Sequence, residues 1–173
     1  MNTILKRAAG PVLVAGLVVT SSATPAAAAQ TPGSTAFRIL GGLVVLQARA
    51  GVNNQVTAST STGRLILTDA TNIAIGPGCT RLSATSADCG IAATVSRLAV
   101  QLGDGNDSFD GSAAAVSTTV DAGTGLDKVT TDGRSDVISV QDNASGDTVD
   151  CGAGADTVFA DPGDTVVNCE RRL

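Results

Sequence analysis

Six aspartates stand out by their spacing: Asp107, Asp127, Asp136, Asp147, Asp156 and Asp164, each with Phe, Val or Ile two residues further on. The triplet Asp-Thr-Val recurs at Asp147, Asp156 and Asp164. An ionised carboxylate only accepts hydrogen bonds, so a row of them repels itself and favours a hard cation that binds oxygen. Such a cation takes about six to eight oxygens. One turn cannot supply that number. Two turns stacked on the same edge can, through carboxylates and backbone carbonyls.

The elements that must place these groups follow from the repeat around them. VQLGDGNDSF begins at Val100, VDAGTGLDKV at Val120 and VQDNASGDTV at Val140. TDGRSDVISV and CGAGADTVFA fill the half-coils from 131 and 151, whereas GSAAAVSTTV from 111 has no aspartate in place. The coil is therefore 20 residues of two halves, shortening to 17 or 18 at the end. A unit this short cannot bury its own apolar residue, but stacked units make a continuous core. The expected fold is all-β: a parallel β-roll or β-helix solenoid, with Phe109, Val129, Ile138, Val149, Val158 and Val166 pointing inward. Asp107, Asp127, Asp147 and Asp164 then share one edge, and Asp136 and Asp156 the other. Up to three sites between coils are expected on the first edge and one on the second, with Asp104 and Asn106 adding side-chain oxygens. Asp and Gly are also ordinary turn residues, and plain turns are the competing reading.

Four cysteines allow three pairings. Sequence order favours Cys79 with Cys89 and Cys151 with Cys169. Equivalent residues one coil apart lie about 4.8 Å from each other, within reach of a disulfide. Cys151 and Cys169 are 18 residues apart, so a bridge would staple the end of the stack, contributing about 3 kcal/mol. A hairpin clip without a solenoid is the alternative. Cys79–Cys89 would close a short projecting loop.

Upstream, from residue 36 to 99, LVVLQA, RLILTD, NIAIG and RLAVQLG read as strands, and AGVNNQ, STSTGR, GPGC and ADCG as turns. This part is expected to be the β-rich beginning of the solenoid, after a flexible lead at 30–35. Residues 1–29 combine Lys6 and Arg7, an apolar run from Ala8 to Val19 and Ala27-Ala28-Ala29. That pattern predicts a cleaved secretory signal, because the apolar run falls short of the roughly 20 residues a membrane span needs. The polar ending NCERRL gives no sign of a membrane anchor. The expected location is extracellular.

Charge supports a cation partner. From 30 to 100 the net charge is +3; from 101 to 170 it is −12, with thirteen Asp and Glu170 against Lys128 and Arg134. Such a field repels nucleic acid. The chain has no His, Tyr or Trp, which removes a Ser-His-Asp triad and the usual acid–base residues. Paired cysteines cannot act as nucleophiles. Aspartate pairs could cleave glycosides, but these recur at regular turns, so no enzyme is expected. The lack of His and the pairing of the cysteines also disfavour zinc and copper.

The segments GDGNDSFDG, AGTGLDKV and CGAGADTVFADPGDTVVNCE resemble the RTX, or haemolysin-type, calcium-binding repeats, as found in small secreted actinobacterial proteins. The resemblance covers roughly 75 residues well. It implies a parallel β-roll with Ca2+ held by Asp107, Asp127, Asp136, Asp147, Asp156 and Asp164 and by turn carbonyls, in turns shaped by Gly105, Gly125 and Gly154. The double glycine of the family repeat is absent, one half-coil is blank, and the coils run to 20 residues. The implied function is secreted calcium binding that drives folding of a monomer. The alternative is a structural or adhesive extracellular solenoid whose partner is a protein or the cell wall.

Overall fold

The structure, a computed structural model, describes residues 31–173. The expected signal at 1–29 lies outside the described residues. The described chain is all-β apart from two single 3-10 turns, at Leu40–Gly42 and Ala92–Thr94.

Two regions share the same pair of sheets. The first holds β1 (Ser34–Arg38), β2 (Leu43–Ala48), β3 (Gln55–Ser61), β4 (Arg64–Asp69), β5 (Ile73–Ile75), β6 (Thr80–Arg81) and β7 (Ser86–Ile91). The second holds β8 (Arg97–Gln101), β9 (Ser108–Ala113), β10 (Thr118–Asp121), β11 (Lys128–Thr130) and β12 (Val137–Ser139). It continues with β13 (Thr148–Asp150), β14 (Thr157–Phe159), β15 (Thr165–Val167) and β16 (Arg171–Arg172). One eight-stranded sheet has the order β16-β14-β12-β10-β8-β2-β1-β5; the other runs β15-β13-β11-β9-β3-β4-β7-β6.

In the second region successive strands from β8 to β16 alternate between the sheets, and each from β8 to β14 pairs in parallel with the strand two places on. Phe109, Val129, Val149 and Val166 stand in one row; Val120, Ile138 and Val158 stand in another. All are buried except Val166, which is partly so. The steps along the first row are those of the sequence repeat. A row of β-branched residues at strand spacing packs well, and each buried Val or Ile contributes about 1.5–3 kcal/mol.

Tight stacking places a demand on the turns. Gly125 has φ +142°, and a Cβ there would lie 1.6 Å from the carbonyl oxygen of Gly105. No side chain fits that approach, and L residues disfavour that backbone conformation.

The first region is built differently. β1–β2, β3–β4, β4–β7 and β6–β7 pair antiparallel, forming a cap rather than further parallel coils. Only β1–β5 is parallel within it. The cap joins the stack through parallel pairing of β2 with β8 and β3 with β9. Burial alternates along its strands: Val44, Leu46, Leu65 and Leu67 are fully buried, while Val45 and Ile66 between them are only partly so.

Several expectations are corrected here. Ser34 and Thr35, read as flexible lead, begin β1, and Gly33 N donates to Thr71 O and Asn72 O. ADCG is strand, not turn, because Asp88 is paired with Arg64 and Cys89 is buried in the core. Both disulfides form as expected, with Cα separations of 4.2 Å for Cys79–Cys89 and 5.2 Å for Cys151–Cys169. The Cys79–Cys89 loop, however, carries β6 and belongs to the sheet edge, instead of projecting from it.

Candidate metal centre

The backbone that precedes each short strand turns sharply, and the strand's first neighbour is the repeated aspartate. The register therefore stacks these aspartates in two columns. In the first, Asp107 Oδ1 accepts from Asn54 N at 2.6 Å, Asp127 Oδ1 from Asp107 N at 2.8 Å and Asp147 Oδ1 from Asp127 N at 2.7 Å. Asp164 closes this column: Oδ1 accepts from Gly146 N and Asp147 N, and Oδ2 from Asp161 N. In the second column, Asp136 Oδ1 accepts from Thr118 N at 2.6 Å and Asp156 Oδ1 from Asp136 N at 2.7 Å. Glu170 ends it, taking Asp156 N on Oε2 at 2.8 Å. Each carboxylate thus braces the backbone one coil upstream, where the N–H would otherwise be buried without an acceptor.

The other carboxylate oxygen sets the chemistry. The Oδ2 atoms of Asp107, Asp127, Asp136 and Asp156 are buried and have no hydrogen-bond partner. Burial of a charge without compensation is costly, and the group responds by binding a cation or a proton. Burial pushes the carboxyls of Asp107, Asp127 and Asp136 up to about 6, partly offset by their backbone hydrogen bonds. Neighbouring acids add to this: Asp104 and Asp69 for Asp107; Asp107, Asp147 and Asp142 for Asp127; Asp132 and Asp156 for Asp136. Burial also raises Asp147 and Asp156.

The auxiliary residues behave unequally. Asp104 is exposed and its Oδ1 accepts from Gly51 N at 2.6 Å; Asn106, also exposed, accepts from Leu126 N at 2.9 Å. Gly105, Gly125 and Gly154 all have positive φ, at 126°, 142° and 149°. Asp142, Asp161 and Glu170 join the columns without having been assigned to them in the sequence, and Asp132 lies beside the second column. Asp161 Oδ2 accepts from Asp142 N and Asn143 N. Glu170 carried a usable signal, being the lone Glu among the acids.

Among the described residues, no group of three or more His, Cys, Asp or Glu converges as a metal-binding cluster. A cation here would draw two carboxylates from neighbouring coils and its remaining oxygens from the turn backbone. Paired carboxylates, buried free oxygens and glycine turns fit an oxygen-seeking ion such as calcium. Among the described residues, no helix is long and apolar enough to cross a membrane. In comparisons with protein-family models, curated proteins and solved structures, the chain matches none. The class it defines is an all-β protein of two mixed sheets, held by two disulfides and by paired columns of buried aspartates.

Proposed function

We propose that the chain is a secreted calcium-binding β-roll of the RTX type, in which Ca2+ held between stacked turns completes the fold. The observation that carries this reading is the pattern of unpartnered oxygens. They occur as consecutive pairs, Asp107 with Asp127 on one edge and Asp136 with Asp156 on the other. That pattern favours one ion for each pair. Asp147 and Asp164 continue the first column, and Asp164 has both oxygens committed to backbone N–H groups. Gly105, Gly125 and Gly154 let the turn backbone approach closely enough for carbonyls to contribute. A bound calcium ion supplies the positive charge that the columns lack. The protein's part is to hold the carboxylates in register and keep water away from them.

A ligand bound only by the folded state stabilises it by RT ln(1 + [L]/Kd). Extracellular calcium modules have Kd of about 10⁻⁴ to 10⁻³ M, so the stack would be loose at low calcium and set at high calcium. The two disulfides fit an oxidising compartment. The test is calorimetric titration with CaCl2 alongside circular dichroism. The reading requires saturable heat and a gain of order; a calorimetric trace like that of buffer rejects it.

A second reading is a structural or adhesive solenoid without metal. The Oδ1 bonds favour it, since they tie coil to coil with no ion present. It requires full order in EDTA and cell-wall or protein capture that chelation leaves unchanged.

A further inference from the structure

The turn 51–54 in the cap reproduces the contacts of the acidic turns with a sequence that lacks their motif. Gln55 pairs with Ser108 as Ser108 pairs with Lys128, so Asn54 occupies the place of Asp107 one coil upstream. Asn54 N donates to Asp107 Oδ1 at 2.6 Å, as Asp107 N donates to Asp127 Oδ1 at 2.8 Å. Asn106 N donates to Asn53 Oδ1 at 3.0 Å, as Leu126 N donates to Asn106 Oδ1 at 2.9 Å. A Cβ on Gly105 would meet Val52 O at 3.0 Å and Asn53 Oδ1 at 2.9 Å. A Cβ on Gly125 would meet Gly105 O at 1.6 Å and Asn106 Oδ1 at 3.2 Å. Three separate contacts therefore repeat.

A further observation points to a ligand. Asn54 is fully buried, and its Nδ2 shares its two hydrogens among Gly33 O, Asp69 Oδ2 and Thr71 Oγ1 at 3.0, 2.9 and 3.1 Å. Those acceptors fix the amide's orientation. Its Oδ1 is left buried and unpartnered, as is Asp107 Oδ2 on the adjoining rung. Two acceptors without donors, on hydrogen-bonded neighbours, call for a cation. Asp69 and Asp104 add negative charge around Asp107.

We propose that residues 52–54 form an additional cation rung, where Asn54 Oδ1 and Asp107 Oδ2, an oxygen shared with the ion of the Asp107/Asp127 pair, hold a divalent, calcium-type ion across the junction of cap and stack. The inference rests on the calcium reading of the repeat and extends it beyond the repeated motif. An amide replaces one carboxylate, so this rung binds more weakly than its neighbours and fills last. Its occupation fastens the cap to the stack.

The test is titration of the full chain with CaCl2, read by calorimetry and by NMR of the Asn54 side-chain amide. The expected result is one equivalent beyond those bound at Asp107/Asp127 and Asp136/Asp156, with the Asn54 signals moving in that last phase. Asn54→Asp restores a second carboxylate and should tighten the last phase by about tenfold, since ligand charge tunes calcium affinity. Heat from the repeat sites with unmoved Asn54 signals means a buried water only; it overturns this inference and leaves the calcium reading intact. No heat at all overturns both. The wild-type NMR reading decides the matter even where Asn54→Asp folds poorly.

Discussion

In the antiparallel cap, Asp69 is fully buried, yet Oδ1 accepts from Thr71 N and Oγ1 and Oδ2 accepts from Asn54 Nδ2. Asp88 is ion-paired with Arg64 and takes Gly90 N on its other oxygen. In the parallel stack, Asp107, Asp127, Asp136 and Asp156 are as deeply buried, but each engages one oxygen and leaves the other bare. No ion pair among the described residues involves an aspartate of the stack. The cap satisfies both oxygens of its buried acids with its own residues, by an ion pair for Asp88 and by neutral donors for Asp69. The stack has only Lys128 and Arg134 as cations between 101 and 170, and both are exposed. The difference follows from repetition. An irregular meander can place one arginine beside one aspartate, whereas a repeated coil places identical charges in line, and under the calcium reading their partner comes from solution.

The pH dependence gives the largest contrast. Asp107, Asp127 and Asp136 keep their protons up to about 6 in the folded state, while an unfolded aspartate releases its proton near pH 4. The folded stack therefore binds more protons in between. Its metal-free stability is full below pH about 4 and falls as pH rises through about 6. Asp88 behaves oppositely: the hydrogen bond from Arg64 holds its carboxyl below the usual range, so its contribution is present at neutral pH and lost in acid. Thermal melting in EDTA at pH 4.5, 6 and 7.5 should show the stack weakening and the cap holding. A stack that strengthens with pH would erase the contrast.

Next in size are the disulfides. Replacing Cys151 and Cys169 together by Ser should cost about 3 kcal/mol by loop entropy and free β15 and β16, at the end of both sheets. Proteolysis mapped by mass spectrometry should find new cuts after residue 160. Cuts confined to the cap would contradict the placement.

A smaller effect, of opposite sign in two conditions, is expected for Asp127→Asn. The amide oxygen can still accept from Asp107 N, but the buried charge is gone. Metal-free stability at pH 7.5 should rise by about 2 kcal/mol, while the response to calcium falls. Denaturant melts with CaCl2 and with EDTA measure both. A variant destabilised in EDTA would show that the bare oxygen carries no strain. The smallest change is expected for Asp132→Ala. Asp132 lies beside the second column, and its Oδ1 serves the local turn by accepting from Arg134 N. Its calcium response should fall less than that of Asp127→Ala, and equal losses would refute the ligand assignment.

The stack was readable because six of its rungs announce themselves locally: an aspartate, then an apolar residue two places on. Periodicity alone placed Phe109, Val129, Val149 and Val166 in one row. β2 and β4 were equally plain from the alternation in LVVLQA and RLILTD. β3 was hidden in a run of Thr and Ser, where only Val56 and Ala58 mark the inner face. β7 was misread because Asp88 and Gly90 are turn formers until Arg64 and Arg38 are brought beside them from other strands. Asn54 gave no signal at all. Its role depends on pairing with a rung 53 residues away, and local sequence does not encode that meeting. The sharing of one edge by Asp107, Asp127, Asp147 and Asp164 was likewise legible, but their burial and their use as backbone braces were not, since these require the coils to be in contact.

Hydrogen exchange on the purified protein, in CaCl2 and in EDTA, tests the central claim most directly. The amides that donate into the columns, those of Asp107, Asp127, Thr118 and Asp136, should exchange slowly with calcium and markedly faster without it. The inner cap amides of β4 and β7 should change little. Equal protection of the column amides in both conditions would contradict the account, because the aspartate columns would then need no ion.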